Sequence, residues 1–160
     1  MLTIQRLSAR DAGRLRAIRL RALEDAPDAF GTTLSEAAAF PAESWDVQLR
    51  QLATFVATAN GSDVGLVRGA PHEHRSDTGD LISMWVAPEA RRQGIGSALV
   101  DAVVDWARSR GLSRLLLEVA EANTPAIELY RRKGFVPTGA FGTLPAPREH
   151  VREIGMVLSL

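Results

Sequence analysis

Cysteine is absent from this chain of 160 residues, and its absence limits the chemistry available. Without thiols there is no disulfide bond, no thiolate metal site and no cysteine nucleophile. A chain without disulfides fits a reducing compartment, and the opening segment MLTIQRLSARD has no apolar stretch typical of a signal peptide. The sequence therefore predicts a cytoplasmic protein.

Net charge is lacking as well, because 19 Lys and Arg side chains balance 19 Asp and Glu side chains. Nucleic-acid-binding proteins generally carry a marked basic excess, so we expect no nucleic-acid partner. No uninterrupted apolar run approaches the roughly 20 residues that a membrane helix needs, so we expect no membrane partner either. Any anion-binding site in this chain must be local.

What the chain does contain is the composition of a globular protein, with 46% hydrophobic and 24% charged residues. Its length fits one domain, residues 1–160, with a substantial core. Hydrophobic periodicity predicts a mixed α/β fold in the order β-α-α-β-β-β-α-β-α-β-β. The predicted helices cover about 9–24, 42–52, 95–111 and 124–134; the predicted strands cover about 2–7, 53–59, 62–70, 81–86, 113–120, 135–141 and 152–160.

Turn signals and loops complete this prediction. Asn60-Gly61 between two apolar runs predicts a β-hairpin, since this dipeptide favours the tight turn of such connections. The segment PHEHRSDTGD, residues 71–80, predicts a polar loop. The following run LISMWV is apolar enough to predict a strand buried on both faces.

The stretch RRQGIGSALV, Arg91 to Val100, places two arginines and two glycines where a helix begins. A helix N-terminus leaves its first N–H groups unpaired and favours an anion, and glycine lets a phosphate approach the backbone closely. A glycine-containing turn with two solvated arginines is the alternative. The stretch is neither a P-loop nor a Rossmann fingerprint, because the third glycine of the latter is replaced by Leu99.

Two blocks of sequence carry a resemblance to a known family. Arg91-x-x-Gly94-x-Gly96 fits the pattern R/Q-x-x-G-x-G/A. A second block fits N-x-x-A-x-x-L-Y-x-x-x-G-F through Asn123, Ala126, Leu129, Tyr130, Gly134 and Phe135. Both patterns are typical of the GNAT superfamily of N-acetyltransferases, with one strand between them as here. The chain resembles this family most densely from about Asp80 to Phe135.

This resemblance implies a single GNAT domain on a mixed sheet whose central fourth and fifth strands splay apart. It implies an enzyme that moves an acetyl group from acetyl-coenzyme A to a primary amine, on a small molecule or on a protein or peptide, by direct attack in a ternary complex. No metal is required. The alternative is a non-catalytic acyl-coenzyme A sensor or interaction module on the same fold. Many members are dimers, so a homodimer is a further expectation, although no stretch identifies an interface.

The donor contacts of the family match particular positions here. Its pyrophosphate site corresponds to Arg91, Arg92, Gln93, Gly94, Ile95, Gly96 and Ser97. Its pantetheine arm pairs like an added strand with backbone groups that correspond to Met84 and Val86. Asn123 matches a position that hydrogen-bonds this arm, with helix capping as the alternative. The cations Arg131, Arg132 and Lys133 suit a helix C-terminus, and one of them could reach the 3′-phosphate.

The catalytic residues implied by the resemblance are an acid and a base. Tyr130 matches the tyrosine that protonates the departing coenzyme A thiolate, with packing over the cofactor as the alternative. Asp80 matches an acidic base that deprotonates the amine, with a turn residue as the alternative. Glu118, on the fifth strand, is a base candidate on weaker grounds.

Two further groups of side chains are weaker candidates. His72 and His74 form an H-x-H pair, but no third ligand stands at a recognisable spacing, so we expect a solvated loop and no metal. Four acids flank a segment that resembles the acceptor side of the family: Glu24, Asp25, Asp28 and Glu36. One of them could hold a cationic acceptor, although each alone reads as a surface residue. The acceptor itself cannot be identified from the sequence.

Overall fold

The computed structural model describes residues 1–160 and contains seven strands and five α-helices. The strands are β1 (Leu2–Arg6), β2 (Ala53–Ala59), β3 (Ser62–Pro71), β4 (Thr78–Val86), β5 (Arg114–Ala120), β6 (Val136–Thr143) and β7 (Arg152–Ser159). The helices are α1 (Ala12–Asp25), α2 (Leu34–Ala38), α3 (Ala42–Gln51), α4 (Ile95–Ser109) and α5 (Thr124–Arg132). Short 3₁₀ turns precede α1, α2 and α4.

The strands form one mixed sheet in the order β1-β2-β3-β4-β5-β7-β6. Every neighbouring pair is antiparallel except β4 and β5, which run parallel. These two strands pair only at their beginnings, where Thr78, Gly79 and Asp80 face Arg114, Leu115 and Leu116. Beyond that point they diverge, which confirms the predicted splay.

Helices cover both faces of the sheet. Because side chains alternate in direction along a strand, β3 contacts helices on each face. On one face, a Cβ placed on Gly65 or Gly69 would meet Leu99 or Trp106 of α4 within 3.1 Å, so glycine permits close packing of that helix. On the other face, Arg68 reaches α3. The core therefore lies in two layers, one under α4 and one under α1 and α3.

The mixed α/β fold and the predicted order of its longer elements are confirmed. The hairpin turn is confirmed too, with Asn60 (φ 52°) and Gly61 (φ 79°) both in the left-handed region that such a turn requires. The 3₁₀ turn before α1 begins at a capping box, in which the Ser8 N–H donates to the Asp11 carboxylate at 2.8 Å.

Three details differ from the sequence-based prediction. Helix α2 was not predicted, because five residues capped by Thr33 are too few to show a periodicity. Strand β4 begins at Thr78, three residues before the predicted start, since the polar residues 78–80 pair with both neighbouring strands. The same strand is not buried on both faces: Ile82 is 36% exposed, because β4 has lost its β5 partner at this point.

None of the five helices is both long and apolar enough to cross a membrane.

Candidate active site

The diverging strands leave the β5-facing side of β4 without a strand partner beyond Asp80. The Ala87 N–H donates to the Val64 carbonyl oxygen of β3 at 2.8 Å. Backbone groups of successive residues alternate in direction along an antiparallel strand, so those of Val86 point away from β3, into the fork. Met84, two residues earlier, has the same direction. The two residues predicted to pair with an added strand therefore turn their backbone groups to the open side, although the Val86 carbonyl oxygen already accepts a hydrogen bond from Arg91.

The loop before α4 presents a row of backbone donors. Every N–H group from Arg92 to Ser97 lacks a backbone acceptor, and no side chain caps the helix. Arg92 (φ 63°) and Gly94 (φ 81°) both adopt left-handed backbone conformations, which turn consecutive N–H groups toward a common side. Together with the positive end of the helix dipole, this arrangement suits a diphosphate.

The two arginines of this loop have different surroundings. Arg91 donates through Nε to the Val86 carbonyl oxygen (3.0 Å) and through Nη2 to Asp25 (2.8 Å). The same Asp25 carboxylate accepts from the Trp85 indole at 2.9 Å. Arg91 and Asp25 thus tie the end of α1 to the loop, while the Arg91 side chain stays 51% exposed. Arg92 is exposed and forms no salt bridge, so it is the unpaired cation of the loop.

The start of α4 also packs on α5. A Cβ on Gly96 would lie 3.0 Å from Leu129, so this glycine permits close contact between the helices as well as access to the backbone. Lys133 bridges the same helices, with its Nζ 2.6 Å from Asp101 and 3.0 Å from the Ser97 hydroxyl. Its ammonium is therefore already neutralised.

Two residues of the second sequence block belong to α5, the helix that follows β5, or to its N-cap. Asn123 is the N-cap of α5, where its side-chain oxygen accepts from the Ala126 N–H at 3.3 Å, so the capping role is observed and its amide NH₂ is left to donate. Tyr130 is buried, 5% exposed, with its ring edge-on to Phe135 at 5.7 Å. Burial raises the pKa of the Tyr130 phenol, which keeps it protonated at neutral pH.

A cavity of about 880 Å³ opens beside the diverging strands. Segment 29–32, before α2, lines it together with residues of β4, β5 and β7. Arg148 fixes this segment by donating to the carbonyl oxygens of Phe30 and Gly31, both at 2.7 Å. The ionisable side chains that line the cavity are Arg19, Arg68, His72, Arg75, Asp80, Glu118 and Glu153. Of the four acids predicted on the acceptor side, none lines the cavity.

Asp80 lies in this cavity with a partner that the sequence did not indicate. Its two carboxylate oxygens are 3.0 and 3.1 Å from Nδ1 of His72. His72 is held there because it leaves β3 as Asp80 enters β4, and its N–H donates to the Thr78 carbonyl oxygen. His74, by contrast, has a side chain that is 80% exposed. The expectation of a solvated loop is therefore wrong for His72 and correct for His74.

The remaining base candidate, Glu118, also lines the cavity, near Glu153 of the adjacent strand. Burial, and secondarily the charge of Glu118, raises the pKa of Glu153 above its ordinary value. No three His, Asp or Glu side chains of the structure converge closely enough to hold a metal ion.

The sequence also missed two buried cations in the cavity, Arg19 and Arg68. A single charge inside the apolar run VGLVRGA was the available signal for Arg68. Arg19 gave no signal of its own, because α1 contains several arginines.

Comparison with known proteins decides the family. The model of the acetyltransferase (GNAT) family matches residues 18–135. The chain belongs to this family. Membership confirms the resemblance carried by the two sequence blocks, both of which lie within the matched residues.

Individual GNAT relatives agree with this assignment. The chain is 37% identical over 86 residues to a streptothricin acetyltransferase from Streptomyces lavendulae, a match that covers 54% of this chain and 46% of the relative. It spans less than half the length of the first curated relatives that it matches.

Solved GNAT structures share the whole fold. A GNAT acetyltransferase from Streptococcus pneumoniae superposes with a TM-score of 0.86 at 24% identity, covering 100% of this chain and 99% of the other. A putative acetyltransferase from Salmonella typhimurium, solved with its cofactor acetyl-CoA, gives a TM-score of 0.80 at 19% identity, covering 100% and 94%. The GNAT fold is thus confirmed over the full described chain.

Proposed function

We propose that the protein is an N-acetyltransferase that moves the acetyl group of acetyl-coenzyme A to a primary amine by direct attack in a ternary complex. The observation that carries this function is the position of the unpaired N–H row of residues 92–97 beside the fork, with a cavity holding a proton acceptor on the other side. A donor bound at the row and an acceptor in the cavity would meet where the strands diverge.

The donor site is assigned to the loop and to the open side of β4. The N–H groups of residues 92–97 bind the pyrophosphate, with the Arg92 guanidinium as the adjacent cation. Lys133 holds the Ser97 hydroxyl in place and Arg91 holds the loop against α1. Met84 and Val86 offer backbone groups to the pantetheine arm, and the Asn123 amide lies at the end of the fork that leads to α5.

Removal of the amine proton is assigned to the Asp80–His72 pair. An ammonium group has no lone pair and cannot attack a thioester, so the acceptor must first lose a proton. With Asp80 accepting the Nδ1 hydrogen, His72 is held in the tautomer whose Nε2 accepts a proton. Asp80 then acts as a positioning residue, and Glu118 is the competing base across the cavity.

Tyr130 is assigned to the leaving group. The neutral amine forms the new C–N bond to the acetyl carbon, and the nitrogen loses its remaining extra proton to His72, which has passed the first proton to solvent. The C–S bond breaks, the Tyr130 hydroxyl donates its proton to the departing thiolate, and the phenolate regains a proton from solvent. The match of Tyr130 to the family pattern supports this role; the phenol carries its proton at neutral pH, while burial raises its pKa and makes it a weaker acid. The competing function, an acyl-coenzyme A sensor, has the same donor site but needs neither the proton acceptor nor this acid. Cytoplasmic location and a homodimer stay predictions.

The histidine pair of the loop provides a matched test of the base. We expect His72→Gln to lower kcat/KM for an amine about 10²-fold or more, since general base catalysis contributes about 10²–10⁴-fold. The loss is largest at low pH, where few amine molecules are already neutral. His74→Gln is the control and keeps wild-type activity. Release of coenzyme A thiol, followed across a panel of amines and peptide N-termini, is the measurement; equal activity of the two variants would exclude His72 as the base.

Tyr130→Phe tests the acid in the same assay. The variant keeps the ring against Phe135, so calorimetry should give wild-type affinity for acetyl-coenzyme A while turnover falls about 10²-fold or more. Near-normal turnover would leave Tyr130 as a packing residue. If the wild-type protein bound acetyl-coenzyme A but released no thiol with any of the amines at any pH, it would be the acyl-coenzyme A sensor.

A further inference from the structure

Two buried guanidinium groups line the cavity without a carboxylate partner. Arg19 of α1 is 5% exposed and Arg68 of β3 is 6% exposed, yet neither forms a salt bridge. Arginine is almost never this buried unless it is paired with an opposite charge. An unpaired charge in a protein interior is costly, so these two residues call for a partner.

Neutral atoms hold Arg68 in position. Its Nε donates to the Ser83 hydroxyl at 2.9 Å, and its Nη1 donates to the Gln48 side-chain oxygen at 2.7 Å. Ser83 sits at a bulge of β4 with φ 61°, a strained conformation for a residue with a side chain. Ser83 lines the cavity at this bulge. The strained backbone therefore places the hydroxyl that holds the Arg68 guanidinium, whose charge no carboxylate neutralises.

Arg19 lies beside it, stacked on an aromatic ring. Its guanidinium carbon is 4.7 Å from the centre of the Phe30 ring, and its buried Nη1 has no hydrogen-bond partner. Phe30 also lines the cavity, in the segment that Arg148 fixes. Burial lowers the pKa of Arg19 to about 10, and burial with the charge of Arg19 lowers that of Arg68 to about 9. Both groups therefore stay cationic at neutral pH.

The acidic side chains of the cavity form no salt bridge with Arg19 or Arg68. Asp80 is engaged by His72, and Glu118 and Glu153 lie on β5 and β7. The cavity thus holds two buried guanidinium groups that no carboxylate of the chain neutralises. Its volume of about 880 Å³ is that of a small-molecule site.

We propose that the acceptor carries an oxyanion, a carboxylate or a phosphonate, that binds between Arg19 and Arg68 while its amine points to His72 and Asp80. The acceptor class is then a small zwitterionic amine such as an amino acid. This inference rests on the proposed acetyl transfer and narrows its substrate.

Matched acceptors test this class. The panel contains the proteinogenic L-amino acids and the corresponding aminoalkyl phosphonates, together with their carboxamides, their decarboxylated amines and short peptides, assayed by thiol release from acetyl-coenzyme A. We expect at least one amino acid or phosphonate to exceed its carboxamide or decarboxylated analogue about 100-fold or more in kcat/KM, since a site built for a polar group rejects analogues that lack it. Of an amino acid and its phosphonate counterpart, the one with the higher kcat/KM identifies the oxyanion as a carboxylate or a phosphonate. A preference for carboxamides, peptides or neutral amines would overturn the proposal and leave acetyl transfer intact.

Variants locate the oxyanion. Arg68→Met should reduce the acid-over-carboxamide preference to less than about 10-fold, and Arg68→Lys, which keeps the charge, should restore part of it. Arg50→Gln on the exposed side of α3 is the charge-matched control. Wild-type affinity for acetyl-coenzyme A verifies that each variant is folded.

A second readout does not depend on turnover. The preferred acids, or the whole acid panel if no amine is acetylated, should raise the Tm of the wild type and of Arg50→Gln but not that of Arg68→Met. A Tm that no acid raises, or one raised equally in Arg68→Met, would contradict the site even if acetylation were found. An acid-induced rise in Tm without any thiol release would support the anion site and contradict the proposed acetyl transfer.

Discussion

At the scale of single residues, Glu153 shows how the acceptor cavity affects stability. Burial and the nearby Glu118 both favour its protonated form, so the pKa is higher in the folded chain than in the unfolded one. The folded state then binds more protons between these two values, and stability falls as the pH rises through that interval. Above it, the folded protein carries the full cost of the charged carboxylate.

Glu153→Gln should remove that cost. We expect a higher Tm than the wild type at pH 7 and little difference near pH 4, where the carboxyl is largely protonated in both states. Glu149→Gln, which removes an exposed carboxylate of the β6–β7 loop, is the control and should show no such pattern. Thermal unfolding at the two pH values is the measurement. A lower Tm at pH 7 would mean that the Glu153 charge is stabilising, contrary to the direction of its pKa.

Single residues also mark the limit of prediction from the sequence. Asp80 and Tyr130 could be proposed because each occupies a position in a local pattern. His72 could not, since its role depends on β3 and β4 placing it against Asp80 across a loop. Arg19 and Arg68 belong to elements far apart in the chain, and only the folded sheet brings both into one cavity. That these two arginines are buried without an ion-pair partner is visible only in the folded structure.

At the scale of elements, the start of α4 was the most predictable feature. Its glycines and arginines lie within one short segment, and a helix N-terminus offers anion-binding N–H groups wherever it occurs. The partner of Arg91 was not predictable, because Asp25 stands 66 residues away along the chain. A local motif predicted the loop, whereas the contact that holds the loop in place is a product of the fold.

Strand β4 shows the opposite case, in which local composition misleads. Its apolar run suggested full burial, but the strand contains the Ser83 bulge and loses its β5 neighbour after Asp80. Both departures from regular pairing have a role under the proposed function. The missing neighbour leaves an edge for the donor, and the bulge fixes Arg68 for the acceptor.

At the scale of the whole molecule, the fork divides the sheet into β1–β4 and β5–β7. The strands of these two parts pair through three residues of β4 and three of β5. A donor bound as proposed would contact both parts at once, since the N–H row begins α4 after β4, and Asn123 begins α5 after β5. Binding should therefore stabilise the entire fold and not only one loop.

Acetyl-coenzyme A at about 100 times its Kd should stabilise the protein by about 2.7 kcal/mol, or roughly 5–10 °C in Tm for a chain of this size. Hydrogen exchange should slow most at the amides of Met84, Val86 and residues 92–97, where the N–H groups gain partners. Arg92→Gly is the informative variant, because glycine accepts the left-handed backbone while the cation is removed. We expect its Tm without ligand to match the wild type and its ligand-induced shift to be smaller, most clearly at low salt. Protection confined to other parts of the chain would place the donor elsewhere.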